Sequence, residues 1–328
     1  MGCASSNMSV SSSGSFRANS LNSPDHSRAE YSSVNSTSRS PRFGELKGPQ
    51  DSRLTQHQQS LVGVARWPSS HFNRDHTPYQ MEYGQSFYHK SRELGAAIAG
   101  GDVNSFSEAW DEARDWRSAR AGNDAEEFSK IRDPNRAREF ITPLTGPYEY
   151  IKDRHARRKD AEVGRPSRSL PKSKVFKIHG KIDGENFLLT CISISTDRHA
   201  DRTKEPYPRL RRMGMNDIGE PNVILHTDAE HIPRILQHVE GLYGVATDAT
   251  IPDAHALKTL AEIHWWAVHA VPDMRGSAAK AELCVRSIAQ ARGMDLPPMK
   301  LGIVPDLEAL TMNLKDFVNS YEGFFDHS

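Results

Sequence analysis

The chain has 328 residues, with 42 basic and 42 acidic side chains that give a formal net charge of +0. That balance offers no general attraction to polyanions, so nucleic acid is not expected as a partner. Three scattered cysteines, Cys3, Cys191 and Cys284, exclude a disulfide framework and a cysteine zinc site.

The first residues, "MGCASSNMSV", have no apolar h-region and so do not form a secretory signal peptide. They fit the myristoylation pattern instead, with Gly2 as acceptor after removal of Met1 and Ser6 at the hydroxyl position. One myristoyl chain binds membranes only at about 10⁴ M⁻¹, so Cys3 is expected to add a palmitoyl group. Residues 1–58 are rich in Ser, Asn, Arg and Gln and are expected to be disordered, because they bury too little to offset chain entropy. No stretch of about 18 apolar residues follows to span a membrane as a helix.

Folding is expected to begin in "SLVGVARWPSS" and to occupy residues 59–328. The spacing predicts a helix over Gln85–Ala99, stopped by Gly100-Gly101, and another over Ser105–Ala119 with Phe106 and Trp110 on one face. The basic stretch from Tyr150 to Lys174 reads as a solvated linker. Beyond it, Asp183-Gly184 between two apolar runs predicts a β-hairpin. A helical region follows. Thr227 and Glu230 suggest a capping box, with Pro233 either opening or kinking the helix, and Ile235, Val239 and Leu242 form its inner stripe. Further helices are expected over Asp253–Ala270, from Ser277 as N-cap to Gly293 as C-cap, and from Asp306 through Tyr321. The fold class is mainly α (α+β), a helical body with one small β element.

No zinc-protease, paired Cys, EF-hand, nucleophile-elbow or Walker A pattern is present. His264 and His269 lie on an apolar helix and read as core histidines; of the adjacent Trp265 and Trp266, one is expected in the core and one at a cleft. Four polar residues stand out by context: Thr142 between Pro-bounded turns, His226 before a helix cap, Arg275 before a long helix, and Asp306 at the start of the last one. Each also suits an ordinary turn, cap or surface role. Arg275 with Gly276 and Ser277 has a chemical reading as well. A helix N-terminus presents free N–H groups and partial positive charge, and an adjacent guanidinium adds a fork of donors to the same anion.

The stretch "IHWWAVHAVPDMRGSAAKAE" resembles the signature helix and loop of the AvrB family, type III effectors that plant-pathogenic bacteria inject into host cells. "LVGVARWP", "ITPLTGPY", "ILHTDAEHIP", "DLPPM" and "VPDLEAL" follow in family order, so the likeness runs from about Leu61 to Phe325 and includes the "MGCASS" start. The resemblance implies a secretion signal within residues 1–58 and a bilobed, monomeric protein with a Fido (Fic-like) helical lobe. A smaller upper lobe would cover about residues 150–222, where the match is poor. It also implies a nucleotide-containing ligand in the cleft between the lobes, with Thr142, His226, Arg275 and Asp306 as cleft residues and Tyr148 as a weaker correspondence.

By the same resemblance, the expected activity is transfer of rhamnose from a nucleotide sugar, UDP- or dTDP-rhamnose, to a threonine of a membrane-tethered plant immune regulator. The alternative is a non-catalytic clamp that holds a nucleoside diphosphate and recruits a host kinase to that regulator. The protein would work at the cytoplasmic face of the host plasma membrane. AMP transfer is disfavoured, because the loop "HAVPDMRGSAAK" lacks the His-Pro-Phe and Gly-Asn-Gly of Fic AMP-transferases.

Overall fold

The computed structural model describes residues 45–133, 140–156, 162–164, 173–195 and 222–328. Gly2, Cys3 and the rest of residues 1–44 lie outside the described residues. Residues 45–58 correct the expected boundary, because they form an ordered strap. Leu46 and Leu54 pack against the core, and the Gly48 N–H donates to the Ala291 carbonyl at 2.9 Å. The Ser52 hydroxyl reaches Asp295 at 2.7 Å and meets the Tyr88 hydroxyl at 2.7 Å. Two leucines and a few polar anchors suffice, which average composition does not reveal.

Helix α1 (Gln56–Leu61) is capped by Thr55 in a reciprocal box with Gln58. Helix α2 (Pro78–Gly100) begins seven residues before the expected start, because Thr77 caps it and Pro78 suits its first turn. Helix α3 (Phe106–Ala119) starts from a Ser105–Glu108 capping box, and α4 (Ala125–Ser129) follows. The basic segment expected as a linker contains most of α5 (Glu149–Ala156) and the short strand β2 (Glu162–Gly164).

The expected hairpin forms from β3 (Ser173–Ile182) and β4 (Glu185–Ser195). Asp183 and Gly184 both take positive φ, at 52° and 84°, as a two-residue hairpin turn matched to strand twist requires. The hairpin is part of an antiparallel five-stranded sheet ordered β1-β5-β4-β3-β2, where β1 is Ile141–Pro143 and β5 is Val223–His226. The sheet therefore reaches beyond both ends of residues 150–222. Strands of three or four residues leave too short a pattern to detect by alternation.

The helical body continues with α6 (Ile232–Ala246), α7 (Asp253–Ala270), α8 (Ser277–Ala291), α9 (Pro305–Thr311) and α10 (Leu314–Ser320). The Thr227–Glu230 capping box does not form: the Thr227 hydroxyl donates to the Leu188 carbonyl at 3.3 Å, and Pro233 opens α6. The single final helix is broken at Asn313, whose side chain accepts the Asp316 N–H and starts α10 afresh. Arg292 caps α8, with Gly293 one residue on in the left-handed turn.

Helix α8 sits at the centre, buried along almost its whole length and packed on α2, α3 and α7. Its alanines allow close approach, while its buried Lys280, Glu282, Arg286 and Gln290 each find a hydrogen-bonding partner. Both Trp265 and Trp266 are buried, with perpendicular rings 5.0 Å apart, so neither opens onto a cleft. Trp266 instead meets Phe187 of β4 at 6.2 Å and joins sheet to helices.

Asp295 ties the strap to the body through Ser52, Tyr88 and Gln290. Asp295→Ala is expected to cost about 1–3 kcal/mol, the usual penalty for orphaning buried donors, and to lower Tm by several degrees. A thermal melt superimposable on the parent's would show that the strap does not depend on this carboxylate.

Candidate functional site

The loop from α7 to α8 is set from below by a buried ion pair. Asp273 is fully buried and accepts from Trp110 Nε1 at 3.0 Å, Arg114 Nε at 3.0 Å and Lys280 Nζ at 2.6 Å. Lys280, equally buried, also donates to the carbonyls of Phe128 at 2.6 Å and Arg275 at 3.0 Å. Three ammonium protons thus have three acceptors. Burial pulls the Lys280 pKa down, and the Asp273 carboxylate opposes that shift. Backbone pairing clamps the same loop: the Met274 N–H donates to Lys130 O and the Arg132 N–H to Pro272 O, each at 2.8 Å. Val271 takes φ +42°, which is strained for a β-branched residue.

Ser277, expected as the N-cap of α8, is its first helical residue, and its hydroxyl turns back to the Asp273 carbonyl at 3.2 Å. Gly276 is the cap, at φ +76°, and a Cβ there would fall 2.6 Å from the Phe128 ring. Both conformation and space therefore demand glycine. No side chain caps the helix start. Beside it stands Arg275, 37% exposed, with a 3.4 Å contact to the exposed Asp124 and its guanidinium 5.1 Å from the Phe128 ring centre. Such a pair contributes at most about 1 kcal/mol.

Thr142 lies in strand β1 and His226 at the end of β5, so neither is the turn or helix-cap residue its context suggested. Antiparallel pairing of β1 and β5 brings them together, with Thr142 Oγ1 2.8 Å from His226 Nε2. Burial, reinforced by the Arg132 charge, holds the His226 pKa well below the ordinary value, so the ring is neutral. Its Nδ1 is buried without a hydrogen-bonding partner among the described residues.

Arg132, which no sequence pattern marks, ties these groups to the loop. Its buried guanidinium donates to the carbonyls of Thr227 at 2.8 Å and Val271 at 3.2 Å and lies 4.5 Å from the Phe140 ring centre. Phe140 in turn contacts the His226 ring, with centroids 5.5 Å apart. Asp306 is buried at the N-terminus of α9. Burial pushes its pKa up to about 6, against the helix-start N–H groups that favour the carboxylate.

His269 links α9 to the sheet. Its Nε2 meets the Ala309 carbonyl at 3.1 Å and must carry the proton; its Nδ1 then accepts from the Thr190 hydroxyl at 2.7 Å. Thr190 is the register partner of His226. His264 meets the Tyr321 hydroxyl through Nδ1 at 2.8 Å, while its buried Nε2 has no hydrogen-bonding partner among the described residues; both are core histidines.

Thr142 and His226 are thus in direct contact, while Arg275 and Asp306 stand on elements that Arg132 and His269 tie to the same sheet. Tyr148 ends a 3₁₀ turn and packs edge-on against Trp67 at 5.6 Å. Asp228, Glu230 and His231 bring possible metal-ligand atoms within 4.8 Å of one another, with both acidic residues exposed.

The sequence profile of the AvrB_AvrC family, described as an avirulence protein, matches residues 1–328. The chain is also similar to Avirulence protein B of Pseudomonas savastanoi pv. glycinea, with 32% identity over 304 residues. That match covers 90% of this chain and 94% of the relative.

Two substitutions test the energetics. Lys280→Met is expected to lower stability by about 3 kcal/mol, because buried Asp273 keeps only Arg114 and Trp110 as partners and the Phe128 and Arg275 carbonyls lose their donor, and adding Asp273→Asn should recover part of the loss. Denaturant unfolding of both variants measures this; an equal loss in the double variant would deny the pairing. Asp306→Asn should act in the opposite sense. A carboxyl raised from 3.8 to about 6 in the fold favours the folded state only while protonated, so its contribution is lost as pH rises through about 6. The variant should therefore be more stable by about 1–3 kcal/mol at pH 7–8, with no gain near pH 4.

Proposed function

The chain belongs to the AvrB_AvrC avirulence-protein family, and from that premise we propose that it is a glycosyltransferase with a Fido-like helical lobe. It is a pathogen effector, delivered into the host cell and directed at a host protein. The substrate of this reading is a nucleotide sugar, UDP- or dTDP-rhamnose, and the acceptor is a threonine of a membrane-tethered plant immune regulator. Gly2 and Cys3 would carry the lipid that holds the effector at the host plasma membrane.

The observation that carries the reading is the start of α8. A helix N-terminus without a side-chain cap, seated on Phe128 through Gly276, stands beside a partly exposed guanidinium that rests on the same ring and on a weak contact to Asp124, and this set of donors suits a diphosphate. In transfer, the bond from the anomeric carbon to the diphosphate oxygen breaks and a bond from that carbon to the acceptor hydroxyl oxygen forms. Negative charge grows on the leaving diphosphate, where Arg275 and the N–H groups of Gly276 and Ser277 would meet it. The sugar becomes oxocarbenium-like, and the Asp306 carboxylate would balance that charge and take the acceptor proton. A pKa of about 6 leaves Asp306 mainly ionised at neutral pH and still able to hold a proton. Neutral His226, with Thr142 on Nε2 and Nδ1 unused, would orient the sugar or a phosphate.

Turnover is tested by incubating the protein with UDP-rhamnose and an acceptor peptide and weighing the peptide. A sugar-sized mass gain supports transfer; an unchanged peptide that stays bound supports the kinase-recruiting clamp. Arg275→Ala should weaken binding of a nucleoside diphosphate by about 10²-fold or more while changing stability by under about 1 kcal/mol, and Arg275→Lys should fail nearly as badly. Calorimetric titration beside melting curves reads both, and retained affinity would remove Arg275 from the site. Activity should rise with pH through about 6 as Asp306 ionises, and Asp306→Asn should abolish that limb.

A further inference from the structure

A concave site lies away from Thr142 and His226, between the first turns of α2 and the last turn of α3. It is a cavity of about 450 Å³ lined by Tyr79, Glu82, Tyr83, Trp116, Ala119 and Arg120. Its floor is aromatic: Tyr83 and Trp116 lie 5.7 Å apart with rings tilted at 46°, and Phe87 supports Trp116 edge-on at 5.6 Å. Tyr79, 60% exposed, stands one helical turn before Tyr83 as an outer wall. The Glu82 carboxylate at the rim is exposed and pairs with no cation among the described residues.

The rings of this site already hold guanidinium groups of the chain itself. Arg120 lies 5.7 Å from the Trp116 ring centre and makes no ion pair with Glu82. Arg117, on the buried side, lies 5.8 Å from Tyr83 and 4.1 Å from Phe128. Electron-rich faces, an unpaired carboxylate and the carbonyl end of α3 all favour positive charge.

We propose that this pocket receives an arginine side chain of a partner protein, with its guanidinium stacked on Trp116 and Tyr79 and hydrogen-bonded to Glu82. Exposed Arg120 is the intramolecular stand-in for that group and swings out when the partner's arginine enters. The inference is independent of the nucleotide reading, because none of the pocket residues belongs to the proposed transfer site.

The test is titration of a short capped Gly-Arg-Gly peptide into the full chain, followed by tryptophan emission. Its citrulline counterpart serves as the neutral, equally shaped control, and Trp116→Phe assigns the signal. The arginine peptide should bind saturably and the citrulline peptide about five- to thirty-fold more weakly, the range a desolvated cation–π contact supports. Glu82→Gln and Tyr79→Ala, both at exposed positions, should weaken binding, and Arg120→Ala should strengthen it by emptying the pocket. Equal binding of the two peptides, no loss with Glu82→Gln and Tyr79→Ala, or no saturable signal in either the parent or Arg120→Ala would overturn the proposal.

Discussion

The ammonium of Lys280 and the carboxylate of Asp273 meet at 2.6 Å with neither exposed to water. Burying two charges is expensive, and an apolar pair of the same shape often serves stability as well or better. What the charged pair adds is direction. The Lys280 protons bind carbonyls on two different segments, at Phe128 and Arg275, while the Asp273 oxygens gather Trp110 and Arg114 from α3. The loop before α8 is thereby fixed on both sides, and Gly276 can place the helix start against Phe128 without a side chain between them.

The sheet and the last helices register on that fixed loop. Arg132 spans from Val271 to Thr227, next to the Thr142–His226 contact, and His269 spans from Thr190 to Ala309, in the helix whose first turn holds Asp306. The same region holds a strained Val271, a His226 Nδ1 without a partner among the described residues and a buried carboxyl at Asp306. Folded proteins keep such costs where a ligand or a reaction uses them. Their presence around one loop, two strand ends and one helix start agrees with reading this region as the working site.

Much of the architecture was legible in the residues. The Asp183-Gly184 turn, the Ser105–Glu108 cap and the stripe of Ile235 and Val239 follow from local rules that the fold respects. Local rules failed where a distant partner decided the outcome. Thr227 left its cap position for Leu188 of β4, and the ordered strap depends on Asp295, more than two hundred residues away in the chain. Thr142 and His226 were singled out separately; only strand pairing makes them a pair. Arg132 and Lys280 carried no signal, since nothing in a polar loop or an alanine-rich helix announces a buried cation. Arg275 stood out in the sequence because a helix start beside an arginine has a chemistry of its own, and the structure places it beside the start of α8.

In the proposed reading, the buried Lys280–Asp273 pair presents Arg275 and the α8 N-terminus to a diphosphate. A crystal structure of the protein with UDP tests it most directly. The account requires the β-phosphate within hydrogen-bonding distance of the Arg275 guanidinium and the Ser277 N–H, with the Arg275–Asp124 contact broken. UDP bound elsewhere, with Arg275 still resting against Asp124, would contradict it.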